Sequence, residues 1–159
     1  MKLERTLVIL KPDAVARRLA GRIISRIEDK GLRIAAMRLA DVDAGTARRH
    51  YEEHEAKPFF GQLTAFITSG PVVLMAVEGV DAVAVARKLV GATLGRAAEP
   101  GSVRGDFGMS QAFNLIHASD SAASAERELS LYFKPCDYVR DAAGAEWRWT
   151  YEFTGDKPN

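Results

Sequence analysis

The stretch best equipped for chemistry reads Asn114-Leu115-Ile116-His117-Ala118-Ser119-Asp120-Ser121. An apolar run leads into the histidine, and the small polar residues after it suit the start of a helix. Free backbone N–H groups at such a start favour anions. A neutral imidazole with one nitrogen free is a nucleophile toward phosphorus, and its ordinary pKa leaves much of it unprotonated near neutrality. A histidine that merely closes a strand would look the same, so this stretch alone leaves both readings open.

Attack on a nucleotide's terminal phosphate needs cations to offset charge spreading over the equatorial oxygens. Lys11 ends the first predicted strand, Arg87 lies in a predicted helix, and Arg104 lies in the glycine-rich segment beyond it. The chain has no Gly-x-x-x-x-Gly-Lys loop and no Gly-x-Gly-x-x-Gly fingerprint, so phosphate donors would have to come from scattered side chains. His50 and His54 stand four apart with Glu52 and Glu53 between, which suits a metal pair on one helix face. The order is not His-Glu-x-x-His, and the reading preferred here is a solvated helix face. Arg48 and Arg49 read as surface charges. Arg17, Arg18 and Arg22 give the first helix a basic side.

The elements that must position these groups follow from periodicity. Thr6 to Lys11 reads as a short buried strand halted by Pro12. A helix capped by Asp13 is predicted to run to about Lys30, with Val15, Leu19, Ile23 and Ile27 at helical spacing and Gly31 as its stop. Leu32 to Leu39 reads as a second strand. Two helices are predicted over Asp43 to His54 and Phe59 to Thr68. Gly70-Pro71 turns the chain into Val72 to Val77, an apolar run of central-strand type. Asp81 is predicted to cap a helix through Val90. Gly91 to Gly108 has little periodicity, which in a compact domain marks a functional or disordered loop. A strand over Phe113 to His117 and a helix over Ser119 to Leu131 close the pattern. The order matches a ferredoxin-like βαββαβ fold, an α/β (α+β) architecture with an antiparallel sheet covered by helices.

Bulk properties set the outer limits. The 159 residues fit one domain, with residues 1–138 as its body and 139–159 as a tail. A hydrophobic share of 47% and a charged share of 27% exclude disordered and fibrous classes. The formal net charge of +1 gives no field to gather nucleic acid or an anionic membrane. Cys136 is the single cysteine, so no intrachain disulfide forms, which suits a reducing compartment. The apolar stretch Leu7 to Leu10 is too short for a signal peptide or a membrane span, so a soluble, cytoplasmic protein is expected.

Several motifs in fixed order carry a more specific resemblance. Glu4-Arg5-Thr6-Leu7 runs into Lys11-Pro12-Asp13-Ala14-Val15. His50-Tyr51 precedes Lys57-Pro58-Phe59-Phe60. Ser69-Gly70-Pro71-Val72-Val73, Pro100-Gly101-Ser102-Val103-Arg104-Gly105-Asp106-Phe107 and the histidine segment with Ser124-Ala125-Glu126 follow. From Glu4 to about Tyr138 the sequence resembles the nucleoside diphosphate kinase family.

That resemblance implies a phosphotransferase that moves the γ-phosphoryl group of a nucleoside triphosphate to a nucleoside diphosphate through phospho-His117, in a ping-pong cycle. It implies that Glu128 lies behind the imidazole, that Ser119 holds Glu128, and that Tyr51 supports Lys11 or the histidine through its hydroxyl. It assigns Lys11, Arg87, Thr93 and Arg104 to phosphate, Lys11 and Asn114 to the sugar hydroxyls, and Phe59 to stacking on the base. The implied cofactor is Mg²⁺, and because no acidic cluster offers it a cage it is expected to arrive with the nucleotide phosphates. A homo-oligomer is implied, a hexamer favoured over a tetramer, with the aromatic strip Trp147 to Phe153 as a tail strand or a subunit anchor.

Three departures from the family pattern stand out, one of them a tail after Asp137 that runs longer than in short family members. Leu94-Gly95 follows Thr93 where Asn-Pro is common, and Ala118 stands where glycine is frequent. Two rival readings remain open on sequence: a nucleotide-binding regulator without turnover, and a phosphohistidine carrier serving a protein partner.

Overall fold

The computed structural model describes residues 3–139, 147–154 and 157–158. Four strands form one antiparallel sheet: β1 (Leu3–Leu10), β2 (Arg33–Ala40), β3 (Val72–Val80) and β4 (Ile116–Ala118), in the order β2-β3-β1-β4. This is the ferredoxin-like arrangement. Around it lie α1 (Pro12–Ala16), α2 (Ala20–Asp29), α3 (Ala44–His50), α4 (Phe60–Ile67), α5 (Ala82–Val90), α6 (Val103–Phe107) and α7 (Ala122–Tyr132).

The sheet is covered on both faces. Val8 and Leu10 of β1 pack with Ile23 and Ile27 of α2 and with Ala82, Ala86 and Val90 of α5. Leu7 and Ile9 face the other way, onto Ala47 and Tyr51 of α3, Ile67 of α4 and Leu129 and Tyr132 of α7. Two covered faces explain why β3 is buried at all nine positions instead of alternating. β2 is an edge strand, and its Met37 and Leu39 stay exposed.

Four local expectations need correction. The single helix expected from Asp13 to Lys30 is broken in two, because Arg18 adopts a left-handed φ of 57° between α1 and α2. Asp13 caps neither piece; its carboxylate accepts from Leu115 N at 3.0 Å instead. Asp81 likewise caps nothing with its side chain. It sits at φ 50°, and the Val83 N–H donates to Glu4 Oε2 at 3.3 Å. The segment from Gly91 to Gly108 is more ordered than its lack of period suggested. It contains a 3₁₀ turn at Gly95–Ala97 and then α6, with Ser102 accepting from Gly105 N at 3.0 Å.

Of the tail, Trp147 is buried and packs edge-on against Tyr151. The Tyr151 hydroxyl donates to Gly31 O at 3.3 Å and accepts from Val80 N at 3.2 Å. A short pair, β5 (Phe153–Thr154) with β6 (Lys157–Pro158), follows.

Candidate active site

Strand β4 decides where the histidine points. Side chains alternate across a strand, so Ile116 and Ala118 join the core beneath α2 and α5. His117, opposite Ile9, therefore faces the α3–α7 side. Its Nε2 lies 2.9 Å from Glu128 Oε2 on α7. The same carboxylate oxygen accepts from the Ser119 hydroxyl at 2.7 Å, and Ser119 Oγ accepts from Leu7 N at 3.3 Å. A carboxylate acceptor assigns the imidazole proton to Nε2 and leaves the lone pair on Nδ1. Burial pushes the Glu128 carboxyl up, but its hydrogen bonds with His117 and Ser119 outweigh that and hold it below the usual carboxylate range. The His117 side chain is 21% exposed and Glu128 is buried, so the histidine is the member of the pair open to the surface.

The chain reaches β4 through a strained residue. Leu115 has φ 72° with its side chain fully buried. A branched residue in the left-handed region needs its surroundings to hold it there. Asp13 does so through Leu115 N, and Leu115 O accepts from Lys11 N at 2.8 Å. Ala118 has no positive φ and continues β4. Its methyl group costs nothing there.

Next to this turn lie the cations. Lys11 is buried, and its ammonium donates to Asn114 Oδ1 at 2.7 Å. Burial, reinforced by the Arg104 charge and partly offset by Asp13, lowers Lys11 to about 8. Asn114 Nδ2 donates to Gln111 O at 2.9 Å and Thr93 O at 3.4 Å. Arg104 is 4% exposed and donates to Asn114 O at 3.1 Å, Gly91 O at 3.0 Å and Ile116 O at 2.6 Å. Three of its five N–H groups thus clamp the loop to β4, leaving two for a ligand. Arg87 is exposed and reaches Ala118 O at 3.4 Å.

Phe59, at the N-cap of α4, is 44% exposed, with the His54 ring 5.9 Å away. It offers an aromatic face rather than core packing. Thr93 is exposed and is tied in through its carbonyl. The following Gly95 has a packing reason: a Cβ there would lie 2.4 Å from the Gly108 carbonyl carbon. Tyr51 is buried, and among the described residues its hydroxyl makes no hydrogen bond to Lys11 or His117. Its ring packs against His50 at 4.6 Å.

Sequence reasoning missed two residues here. Asp13 was taken for a helix cap and instead braces Leu115. His50 is not on a solvated face. It is 3% exposed, with its ring 4.7 Å from that of His117 at 76°. Burial, followed by the neighbouring His117, lowers it to about 3. The usable signal was spacing, since Ala47, His50 and Tyr51 lie on one helical stripe, and the two apolar members point it inward. His54, in contrast, is exposed in a 3₁₀ turn and forms no pair with His50.

Fold and site together define an α+β protein that presents a carboxylate-backed histidine beside a cluster of partly desolvated cations. The model of the family described as nucleoside diphosphate kinase matches residues 4–138, and the chain belongs to that family. A nucleoside diphosphate kinase of Pyrococcus furiosus is 54% identical over 149 residues, covering 92% of each chain. One from Mycobacterium tuberculosis is 59% identical over 131 residues, or 82% of this chain and 96% of the relative. A solved structure of a halophilic nucleoside diphosphate kinase from Halobacterium salinarum, in complex with CDP, superposes with a TM-score of 0.91 at 45% identity. It covers 95% of this chain and all of that one.

Proposed function

We propose that the protein exchanges γ-phosphoryl groups between nucleoside triphosphates and diphosphates with His117 as the nucleophile. The observation that carries this reading is the Glu128–His117 hydrogen bond, which commits the ring proton to Nε2 and frees Nδ1. In the first half-reaction Nδ1 attacks the γ-phosphorus in line, the N–P bond forms, and the bond to the β–γ bridging oxygen breaks. That oxygen keeps the electron pair, and the diphosphate leaves. A second diphosphate enters the same cleft and takes the phosphoryl group back. One nucleophile serving two substrates in turn gives a ping-pong cycle. As the N–P bond forms, the ring gains positive charge, and its Nε2–H bond to Glu128 strengthens.

Lys11, Arg87 and Arg104 are the cations assigned to the phosphates, with Thr93 beside them. Lys11 and Asn114 reach the sugar hydroxyls, and the exposed Phe59 ring stacks on the base. Stacking uses a face that every base has, so base identity matters little. Tyr51 acts through packing on His50 rather than through its hydroxyl. Ser119 positions Glu128. Magnesium enters as part of the substrate, on the nucleotide phosphates. The one three-residue cluster of potential metal ligands among the described residues is rich in imidazole, a poor match for magnesium's preference for oxygen.

The remaining assignments are coarser. We assign residues 1–138 to the catalytic domain and the described part of the tail to packing on it or on a neighbouring subunit; residues 140–146, 155–156 and 159 lie outside the described residues. The exposed Trp149, and Met37 and Leu39 on the open edge of β2, favour a homo-oligomer, with a hexamer preferred. No helix among the described residues is long and apolar enough to cross a membrane, and a cytoplasmic setting fits the substrates.

The test is a coupled assay with several nucleoside diphosphates, paired with mass measurement of the phosphoenzyme. Transfer to many bases through an acid-labile adduct is expected, and His117→Ala should lose both. A His117→Ala protein that still takes label from γ-labelled ATP would remove the nucleophile. Labelling without transfer to nucleotides would favour the carrier reading.

A further inference from the structure

His50 has no part in the mechanism above, yet it is the most unusual polar group in the molecule. Its ring is 3% exposed, and neither nitrogen has a hydrogen-bond partner. Burying polar atoms unpaired is costly. Tyr51 and Tyr132 hem the ring at centroid distances of 4.6 and 5.7 Å, and the His117 ring stands 4.7 Å away. One ligand atom each from His50, His117 and Glu128 lies within 4.8 Å of the other two. Two imidazoles and a carboxylate are the donor set of zinc sites that keep an open position.

We propose that His50, His117 and Glu128 form an inhibitory site for a divalent transition-metal ion, zinc fitting best, which disables the nucleophile without occupying the nucleotide cleft. Metal binding rests on the geometry alone, and inhibition rests also on His117 being the nucleophile.

The inhibition follows from counting protons. A neutral imidazole carries one. In the resting site that proton is on Nε2, donated to Glu128, and Nδ1 holds the lone pair. A metal bound at Nε2 needs a lone pair there, so the proton moves to Nδ1. No proton is gained or lost by the ring, and no covalent bond is made, but the attacking lone pair is gone.

One pair of ligand atoms already stands near the spacing zinc needs, and the His50 ligand atom lies within 4.8 Å of both. Ligand atoms about 2.0–2.2 Å from a tetrahedral zinc stand roughly 3.3 Å apart. The His117 Nε2–Glu128 Oε2 pair, at 2.9 Å, opens by a few tenths of an ångström, and His50 closes in by a rotation of its ring. The fourth position is left for water. The charges facing the site temper its affinity. Glu128 is its one anion, Arg127 Nη2 lies 3.9 Å from Glu128 Oε1, and Lys11 stands beside the cleft. A site of this kind responds to raised free metal instead of holding it permanently. Magnesium, which prefers oxygen and keeps its waters, does not compete for it.

The experiment uses the full chain with saturating magnesium nucleotide and free zinc set by a metal buffer. Zinc should lower kcat at least about tenfold with the nucleotide KM unchanged, and chelation should restore it. His50→Asn and His50→Phe, each scored against its own zinc-free rate, should need at least about tenfold more zinc for the same inhibition. Cobalt added to the wild-type protein should give visible ligand-field bands that the His50 variants lack, a reading that needs no turnover. Nitrogen NMR of wild-type protein decides the matter even if the variants do not fold, because zinc should move the His117 proton from Nε2 to Nδ1. Inhibition competitive with nucleotide, equal zinc sensitivity in a folded His50 variant, or a His117 proton that stays on Nε2 with metal bound would each overturn the site. A protein that forms no phosphoenzyme without zinc would overturn the kinase reading, while the cobalt bands would still report on binding.

Discussion

Replacing Glu128 by glutamine tests the central pairing with little change of shape. The carboxylate oxygen accepts from both His117 and Ser119, at 2.9 and 2.7 Å, in a buried setting. In Glu128→Gln the amide oxygen still accepts from the Nε2–H, but without the negative charge. A hydrogen bond to a charged group contributes about 1.5–3 kcal/mol, and a tenfold change in rate corresponds to about 1.4 kcal/mol. If most of that contribution develops only as the ring becomes cationic, phosphorylation should slow about 10- to 150-fold. The nucleotide KM should move little, because the lost interaction belongs to the transition state. Rapid-quench measurement of phosphoenzyme from γ-labelled ATP isolates this step from product release. A variant within about threefold of wild type would show that Glu128 does not support the ring charge. A large rise in KM with unchanged kcat would show that it serves nucleotide binding instead.

Three further outcomes follow from the same geometry. Lys11, lowered to about 8, is mostly charged at neutral pH and loses its proton as pH rises through that value; kcat/KM should therefore fall on the alkaline side, and Lys11→Met should flatten that limb of the pH profile. Phe59→Ala should raise KM by about 5- to 150-fold for purine and pyrimidine nucleotides alike, from about 1–3 kcal/mol of lost stacking, and a loss confined to one base would argue for specific recognition. Gly95→Ala should destabilise the loop, because its Cβ would meet the Gly108 carbonyl carbon at 2.4 Å. Urea unfolding should show a lowered midpoint, and an unchanged one would mean that the backbone there yields freely.

Much of the fold was legible in local pattern. The apolar runs of β1 and β3 and the helical spacing of apolar residues in α2 are short-range signals, and the order of elements implied the antiparallel sheet. The breaks were harder. Arg18 and Asp81 take positive φ values without the glycine or asparagine that usually announces them. Asp13 and Asp81 have the right chemistry for caps and the right positions, but long-range partners took over those roles. Asp13 was claimed by Leu115, a hundred residues on, and the Val83 N–H of α5 went to Glu4.

The same division runs through the site. Phosphoryl chemistry, which demands a nucleophile and cations, pointed to Lys11, Arg104 and His117, while Asn114 and Glu128 came only with the family resemblance carried by the ordered motifs. Which nitrogen of His117 faces Glu128, that Arg104 spends three donors on carbonyls, that the Tyr51 ring packs on His50, and that His50 is buried against His117 came from tertiary contacts alone. Hydrogen-bond partners and burial depend on residues dozens of positions apart, and a linear sequence carries no local signal for what will stand opposite a side chain once the sheet has closed.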